Sequence, residues 1–247
     1  MDEKSCMDNL FLPGVSAARL REILEKAGGN EIASGKFASP QSSAALAANG
    51  FGWFLDRPGS LPAFPGLHDL DWPATRIDVE RQMRFPWRGG RHPWLDAAVE
   101  TANHLIGVES KRFEPFRVSK PAALSAAYDR DVWGEGMTPF LAMRDGLRAM
   151  PGRFRHLDGA QLVKHAFGLA TEACRLGKNP VLLYIFAEPA DVPAVRLRAH
   201  RAEIATFEAE VSGAKVRFGA CSWREWISTW TGDAAAHGIA LRETFAP

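Results

Sequence analysis

The chain is poor in cysteine, holding only Cys6, Cys174 and Cys221 in 247 residues. Three thiols so far apart make neither a disulfide framework nor a zinc-ligand spacing, and they suit a reducing compartment. No apolar run approaches the roughly 20 residues of a membrane helix. The opening Met1-Asp2-Glu3-Lys4-Ser5 carries acids where a secretory leader would have a basic segment and then a long apolar one. A cytoplasmic protein without membrane contact is expected. Charge of one sign is lacking too: 30 Lys and Arg meet 29 Asp and Glu, leaving a formal net charge of +1. Nothing global then draws the chain to a polyanion, and any nucleic-acid contact must rest on a local basic patch. Internal repeats, low-complexity tracts, Walker loops, dinucleotide fingerprints, nucleophile elbows and Cys-x-x-Cys pairs are all absent, so the chemistries those motifs mark are not indicated. The length suits one domain over residues 1–247, with a core at about 36–230.

What is present is an alternation of helical and strand patterns. Leu20, Ile23 and Leu24 give an amphipathic helix over 16–27, with Ser16 as cap and Gly28-Gly29 as stop. A second helix is expected after Ser39-Pro40, with Ser39 as cap, running through Leu46. Prolines and glycines leave Pro58 to Pro73 irregular. Thr75 to Met83 alternates as a strand, with Ile77 and Val79 on one face. Helices follow at 139–149 and from Asp158, an N-cap, to Leu176, closed by Gly177. Val181 to Phe186 reads as a strand covered on both faces. A helix at 193–211, a strand at Lys215–Phe218 and a helical Trp-rich segment at Trp223–Trp230 complete the order. The eight tryptophans scatter along the chain, which suits core anchors better than a ligand cage.

The sharpest feature lies between these elements. Residues 94–100 and 105–111 form a hairpin turning at Ala102-Asn103, in which opposed positions sum to 205 and Asp96 lies across from Glu109. Strand alternation projects Glu109 and Lys111 to one face and Val108 and Ser110 to the other. Two acids and a lysine then converge, and opposed like charges need a compensating partner, for which Mg2+ with its oxygen preference is the natural candidate. The plainer alternative is a salt-bridge ladder on an exposed strand face.

This Asp-x12-Glu-x-Lys pattern resembles the PD-(D/E)XK nuclease superfamily. Pro40-Gln41-Ser42-Ser43 before the sheet, Gly107-Val108-Glu109-Ser110-Lys111 within it and His156-Leu157-Asp158-Gly159-Ala160-Gln161 after it look like a bacterial family of restriction-endonuclease-like proteins. The resemblance implies an α/β fold, a restriction-endonuclease-like mixed β-sheet flanked by helices on both faces. It also implies a Mg2+-dependent endodeoxyribonuclease, with Mn2+ as a substitute ion and DNA as the partner. Asp96, Glu109 and the Ser110 carbonyl would hold the ion, and Lys111 would sit beside the attacking water. Many such nucleases cut both strands as homodimers, although no segment of this sequence marks a dimer surface.

Other residues extend the expected site. Gln161, Lys164 and His165 share a helix, with Gln161 and His165 one turn apart, and are candidates to flank the ion; an ordinary polar stripe is the plain alternative. Gln41 occupies a place where relatives in the superfamily carry an acid, which removes a charge from the site; Glu22, Asp78 or Glu80 could compensate. Arg84, Arg88 and Arg91, with Arg81, Phe85 and Trp87 nearby, could track phosphates, or form a solvated loop. Glu114 has the parity of Ser110 and is expected to face away. Two rivals remain: a nuclease-fold binding module with weak or lost catalysis, and a metal-free glycosidase using the paired acids, which gives no reason for the lysine.

Overall fold

A computed structural model describes residues 10–27, 32–118 and 123–247. It is an α/β structure in which a five-stranded mixed sheet carries helices on both faces. Strands β1 (Arg76–Gln82), β2 (Trp94–Glu100), β3 (His104–Lys111), β4 (Asn179–Phe186) and β5 (Arg217–Ser222) lie side by side in chain order. The pairs β1–β2 and β2–β3 are antiparallel, whereas β3–β4 and β4–β5 are parallel. Parallel neighbours require crossovers, supplied by the helices α3 (Thr138–Ala149) and α4 (Gly159–Leu176) before β4, and α5 (Ala194–Glu210) after it.

The strand pattern sorts the core into two layers. Along β4, Val181, Leu183 and Ile185 join one hydrophobic cluster, and Leu182, Tyr184 and Phe186 join the other. The first layer is covered by α1 (Ala17–Lys26), α2 (Ser43–Gly52), α6 (Trp223–Ser228) and α7 (Gly232–Phe245), together with Leu61, Phe64 and Leu67 of the irregular segment 58–73. The second is covered by α3, α4 and α5. That irregular segment also fixes the hairpin: Asp71 accepts from Asn103 N–H and the Thr101 hydroxyl, each at 2.6 Å, and contacts His104. These bonds hold the Asp71 carboxyl well below the usual range despite the cost of desolvation. The turn falls at Ala102-Asn103, as the sequence predicts.

Three elements correct the sequence reading. The second helix starts at Ser43, because the Ser42 hydroxyl, not that of Ser39, accepts from the third helical N–H, Ala45, at 3.0 Å. Pro40 and Gln41 belong to the preceding turn. The last strand runs over Arg217–Ser222 instead of 215–218, since Ser222 and Glu225 form a capping box that converts the chain into α6 only there. The Trp-rich segment breaks between α6 and α7, with Trp230 in the connection. The proposed Gly28-Gly29 stop of α1 lies outside the described residues. The predicted caps of α4 are present: Asp158 accepts from Gln161 N–H at 2.9 Å, and Gly177 takes the left-handed conformation at φ 65°.

The tryptophans that scatter in sequence gather in space. Trp223, Trp226 and Trp230 pack with Phe51, Phe54 and Phe64 in the first layer, and Trp133 stacks on Phe167 at 4.2 Å in the second. Trp223 also donates to the Ser110 hydroxyl at 3.1 Å, tying this aromatic layer to the central strand. A Cβ at Gly50 would meet the Trp223 ring at 2.6 Å. Gly50→Ala gains about 1 kcal/mol of helix propensity but overpacks a rigid ring at a cost of roughly 1–3 kcal/mol. Urea unfolding is expected to report net destabilisation; an equally stable variant would contradict this packing.

Candidate active site

The hairpin register is the predicted one: Ala97↔Val108, Ala98↔Gly107, Val99↔Ile106 and Glu100↔Leu105 all sum to 205. The next position, Asp96 with Glu109, is where regular pairing stops. On its other side the β1–β2 ladder pairs Val79 with Ala97 and Arg81 with Leu95 but skips Glu80 and Asp96. Glu80 has φ 52°, a left-handed value uncommon for a residue with a side chain, which opens the ladder at that point. Freed from both neighbours, the Asp96 carboxylate accepts from Ser110 N–H at 2.6 Å, in place of a strand partner.

On β3 the face toward α4 reads Leu105, Gly107, Glu109, Lys111, so charge replaces apolar bulk at the C-terminal end of a central strand. Glu109 is only 2 % exposed. One of its oxygens is paired with Lys111 Nζ, and the other lies 2.9 Å from His165 Nε2 of α4. That histidine is equally buried, and the contact is off the line of a formed hydrogen bond: both its ring nitrogens are otherwise without a partner among the described residues. A buried ring with two unused nitrogens facing a carboxylate is costly unless something else completes it.

Electrostatics push the two carboxyls apart. Burial and then the charge of Glu109 raise Asp96 well above the usual carboxylate range, with Glu80 adding to the effect and Lys111 opposing it. Burial acts the same way on Glu109, but Lys111 and His165 outweigh it and lower that group to about 2. Lys111 is raised above its ordinary value because the attraction of Glu109 and Asp96 exceeds the cost of its desolvation. Neighbouring acids held in different protonation preferences by their surroundings are a recurrent sign of an acid–base or ion-binding site.

Lys111 opens into a cavity of about 540 Å3, also lined by Gln161 and Lys164 at the start of α4 and by Glu114, Tyr184 and His156. It lies at the carboxyl ends of β3 and β4, the usual ligand position in an open α/β sheet. The structure therefore gathers Asp96, Glu109 and Lys111 with Gln161, Lys164 and His165. Ser110 contributes its N–H to Asp96, while its side chain goes to the opposite layer. Gln41 is exposed and accepts from Arg117 at 3.0 Å. Among the suggested compensating acids, Glu22 pairs with Lys26 and Asp78 with Arg76 and Arg81, whereas Glu80 acts on Asp96. Arg84 and Arg88 line one surface cavity and Arg91 a neighbouring one; Arg81 is taken up by Asp78 and Glu100.

Two lining residues went unrecognised in the sequence. Glu114 does not follow strand parity, because β3 ends at Lys111 and Glu114 begins a 3-10 turn that brings it to the same cavity. Tyr184 is buried within an apolar run, yet its hydroxyl is hydrogen-bonded with His200 Nε2 at 3.0 Å, and desolvation keeps that histidine neutral by lowering it to about 3.

The donor set suits a hard ion held by two carboxylates and water, the usual manner of Mg2+. Among the described residues, no group of three or more His, Cys, Asp and Glu side chains is gathered to hold a metal ion of any kind, so two carboxyls are all the side-chain oxygen ligands the site offers. No helix among them is long and apolar enough to cross a membrane. In comparisons with known proteins, no family model, no curated protein and no solved structure matches this chain.

The opposed pKa shifts predict opposite mutant effects. A carboxyl raised in the folded state costs stability once pH exceeds its unfolded value near 4. Asp96→Asn, whose amide oxygen can still accept from Ser110, should therefore stabilise the fold at pH 7 and be nearly neutral at pH 3.5. Glu109, being lowered, contributes stability above about pH 4 that is lost as pH falls toward 2. Glu109→Gln leaves the buried Lys111 ammonium without its ionised partner, with an expected loss of roughly 3 kcal/mol at pH 7. Denaturant titrations across this range test both signs; a destabilised Asp96→Asn at pH 7 would contradict the assignment.

Proposed function

We propose that the protein is a metal-dependent nuclease that hydrolyses phosphodiester bonds, in DNA, with a site of the PD-(D/E)XK kind. The observation that carries this reading is the interruption of both β-ladders at Asp96, which brings its carboxyl beside Glu109 and Lys111 at the end of β3. A salt-bridge ladder on an exposed face does not account for a glutamate that is 2 % exposed. The strand order and the flanking helices agree with a restriction-endonuclease-like sheet, and the sequence blocks around Gln41, Glu109 and Asp158 fit the same superfamily.

In this reading Asp96 and Glu109 would hold Mg2+, or Mn2+ in its place, with the Ser110 carbonyl as a further ligand. The bound ion supplies an acidified water and Lewis-acid stabilisation of phosphate oxygens. Lys111 lines the cavity floor and orients the water and the phosphate through its charged hydrogen bonds. Gln161 and Lys164, which line the cavity from the start of α4, would bind the remaining phosphate oxygens. His165 braces the Glu109 carboxylate from behind. Gln41 accepts from Arg117, which lines the same cavity, and would take an accessory part at its rim.

A second reading is favoured by the closure of Glu109, both of whose oxygens face a cation or a ring nitrogen of the protein itself. A fold member with so well compensated a carboxylate could serve as a binding module without efficient hydrolysis. The two readings part on one assay. With Mg2+ or Mn2+, the wild type should hydrolyse oligodeoxynucleotides, and Asp96→Asn and Lys111→Met should each lose about 100- to 1000-fold. Loss of activity in an Asp96→Asn protein that is more stable than the wild type separates chemistry from folding. Activity that persists in EDTA, or in both variants, would overturn the nuclease reading.

A further inference from the structure

We infer, resting on the nuclease reading above, that the substrate is a single-stranded polynucleotide laid along a groove of three adjoining cavities that leads to Lys111. The outermost, about 690 Å3, is lined by Arg84, Trp87, Arg88 and His92. His92 is also in the wall of the second, about 650 Å3, together with Arg91, Tyr128, Arg148 and Lys164. Lys164 in turn borders the third, about 540 Å3, with Arg155 and Lys111. Shared walls make these one continuous path from the β1–β2 loop to the end of β3.

Five cations of that path are unspent, while Arg148 pairs with Asp129, Arg175 with Glu172 and Lys111 with Glu109. The charged groups of Arg84, Arg88, Arg91, Arg155 and Lys164 have no hydrogen bond or ion pair among the described residues. Elsewhere, Arg81, Arg144, Arg153, Arg201 and Arg217 are each neutralised by an acid. The acids along the groove are already engaged: Glu172 with Arg175, Glu114 with Ser43 and the Arg112 N–H, and Asp158 with the Gln161 N–H. A chain with a net charge of only +1 thus concentrates free cations where a polyanion would lie.

Aromatic groups interrupt the cations. Trp87 stacks on Phe85 at 4.7 Å, and the exposed Arg130 guanidinium covers it 4.4 Å from the ring centroid, giving a flat cationic platform. Tyr128 is half-buried in the wall of the second cavity. Guanidinium and aromatic faces stack on bases that are splayed out, which a paired duplex does not offer. Cavities of this volume are of small-molecule size. They suit bases accepted one or two at a time, not a rigid duplex lying across the surface.

Fluorescence anisotropy in EDTA tests this without catalysis, using labelled single strands of about 20 nucleotides, longer than the roughly 4–16 of a typical single-strand site, as DNA and as RNA, and the corresponding DNA duplex. The single strand is expected to bind at least about tenfold tighter than the duplex, and the tighter of DNA and RNA names the sugar. The doubly substituted Arg88→Gln, Arg91→Gln protein, altered only at exposed and unpaired side chains, should lose about tenfold. Its plot of log affinity against log salt should flatten by about 1.4, at roughly 0.7 per lost phosphate contact. Equal or tighter duplex binding, or an unchanged salt slope in the variant, would overturn the inference. Duplex hydrolysis by a protein that fails this binding test would keep the nuclease reading and remove the groove. Single-strand binding by a protein that hydrolyses nothing would do the reverse.

Discussion

The buried carboxylate of Glu109 is the constraint on which the site depends. Desolvating an ionised group at the centre of a sheet is tolerated only with opposite charge in contact. Lys111 reaches it from two residues along the same strand, and His165 from the helix packed above. Strand and helix thereby favour one register: sliding α4 by a turn would replace His165 with Leu169 in one direction and with Gln161 in the other. The cost of this polar contact in a hydrophobic layer is offset by the apolar runs of β3 and β4, which are buried on both faces.

Asp96 is the second half of the same arrangement, and its burden has the opposite sign. Its neighbour Glu109 is already ionised, and Glu80 adds a further negative charge, so Asp96 is the acid that the fold holds least comfortably. A structural network would place a cation or an apolar residue there. Retaining an acid at a point where two ladders are interrupted is the kind of local conflict that stored strain and function explain together. The opposite layer supports this strained corner: Trp223 anchors the Ser110 hydroxyl, and Arg112 hydrogen-bonds the Pro40 and Phe245 carbonyls, tying the turn before α2 and the end of α7 to the end of β3.

Much of this was legible in the sequence, for identifiable reasons. The hairpin register followed from a short turn and an unbroken alternation, and with it the meeting of Asp96, Glu109 and Lys111. The caps of α4 were readable because Asp158 and Gly177 have strong local preferences. Other features lay beyond local pattern. Both Ser39 and Ser42 could cap α2, and only tertiary packing chooses between them. Glu114 escaped because parity holds only while a strand lasts, and β3 ends at Lys111. Tyr184 looked like one more apolar residue because its hydroxyl partner, His200, is supplied by a helix that follows in the chain. The left-handed Glu80 carries no sequence signal, being neither Gly nor Asn, yet it opens the ladder beside the site. The clustering of distant tryptophans is likewise a property of the fold.

The central claim is that two neighbouring carboxyls share one covered corner with a lysine and are driven to different protonation states. Site-resolved carbon NMR of the side-chain carboxyls, titrated from pH 2 to 8 with and without Mg2+, measures it directly. The account predicts that Glu109 stays ionised down to about pH 2, that Asp96 titrates well above the usual carboxylate range, and that Mg2+ brings the Asp96 transition down. Two ordinary titrations near pH 4, insensitive to each other and to the ion, would contradict it.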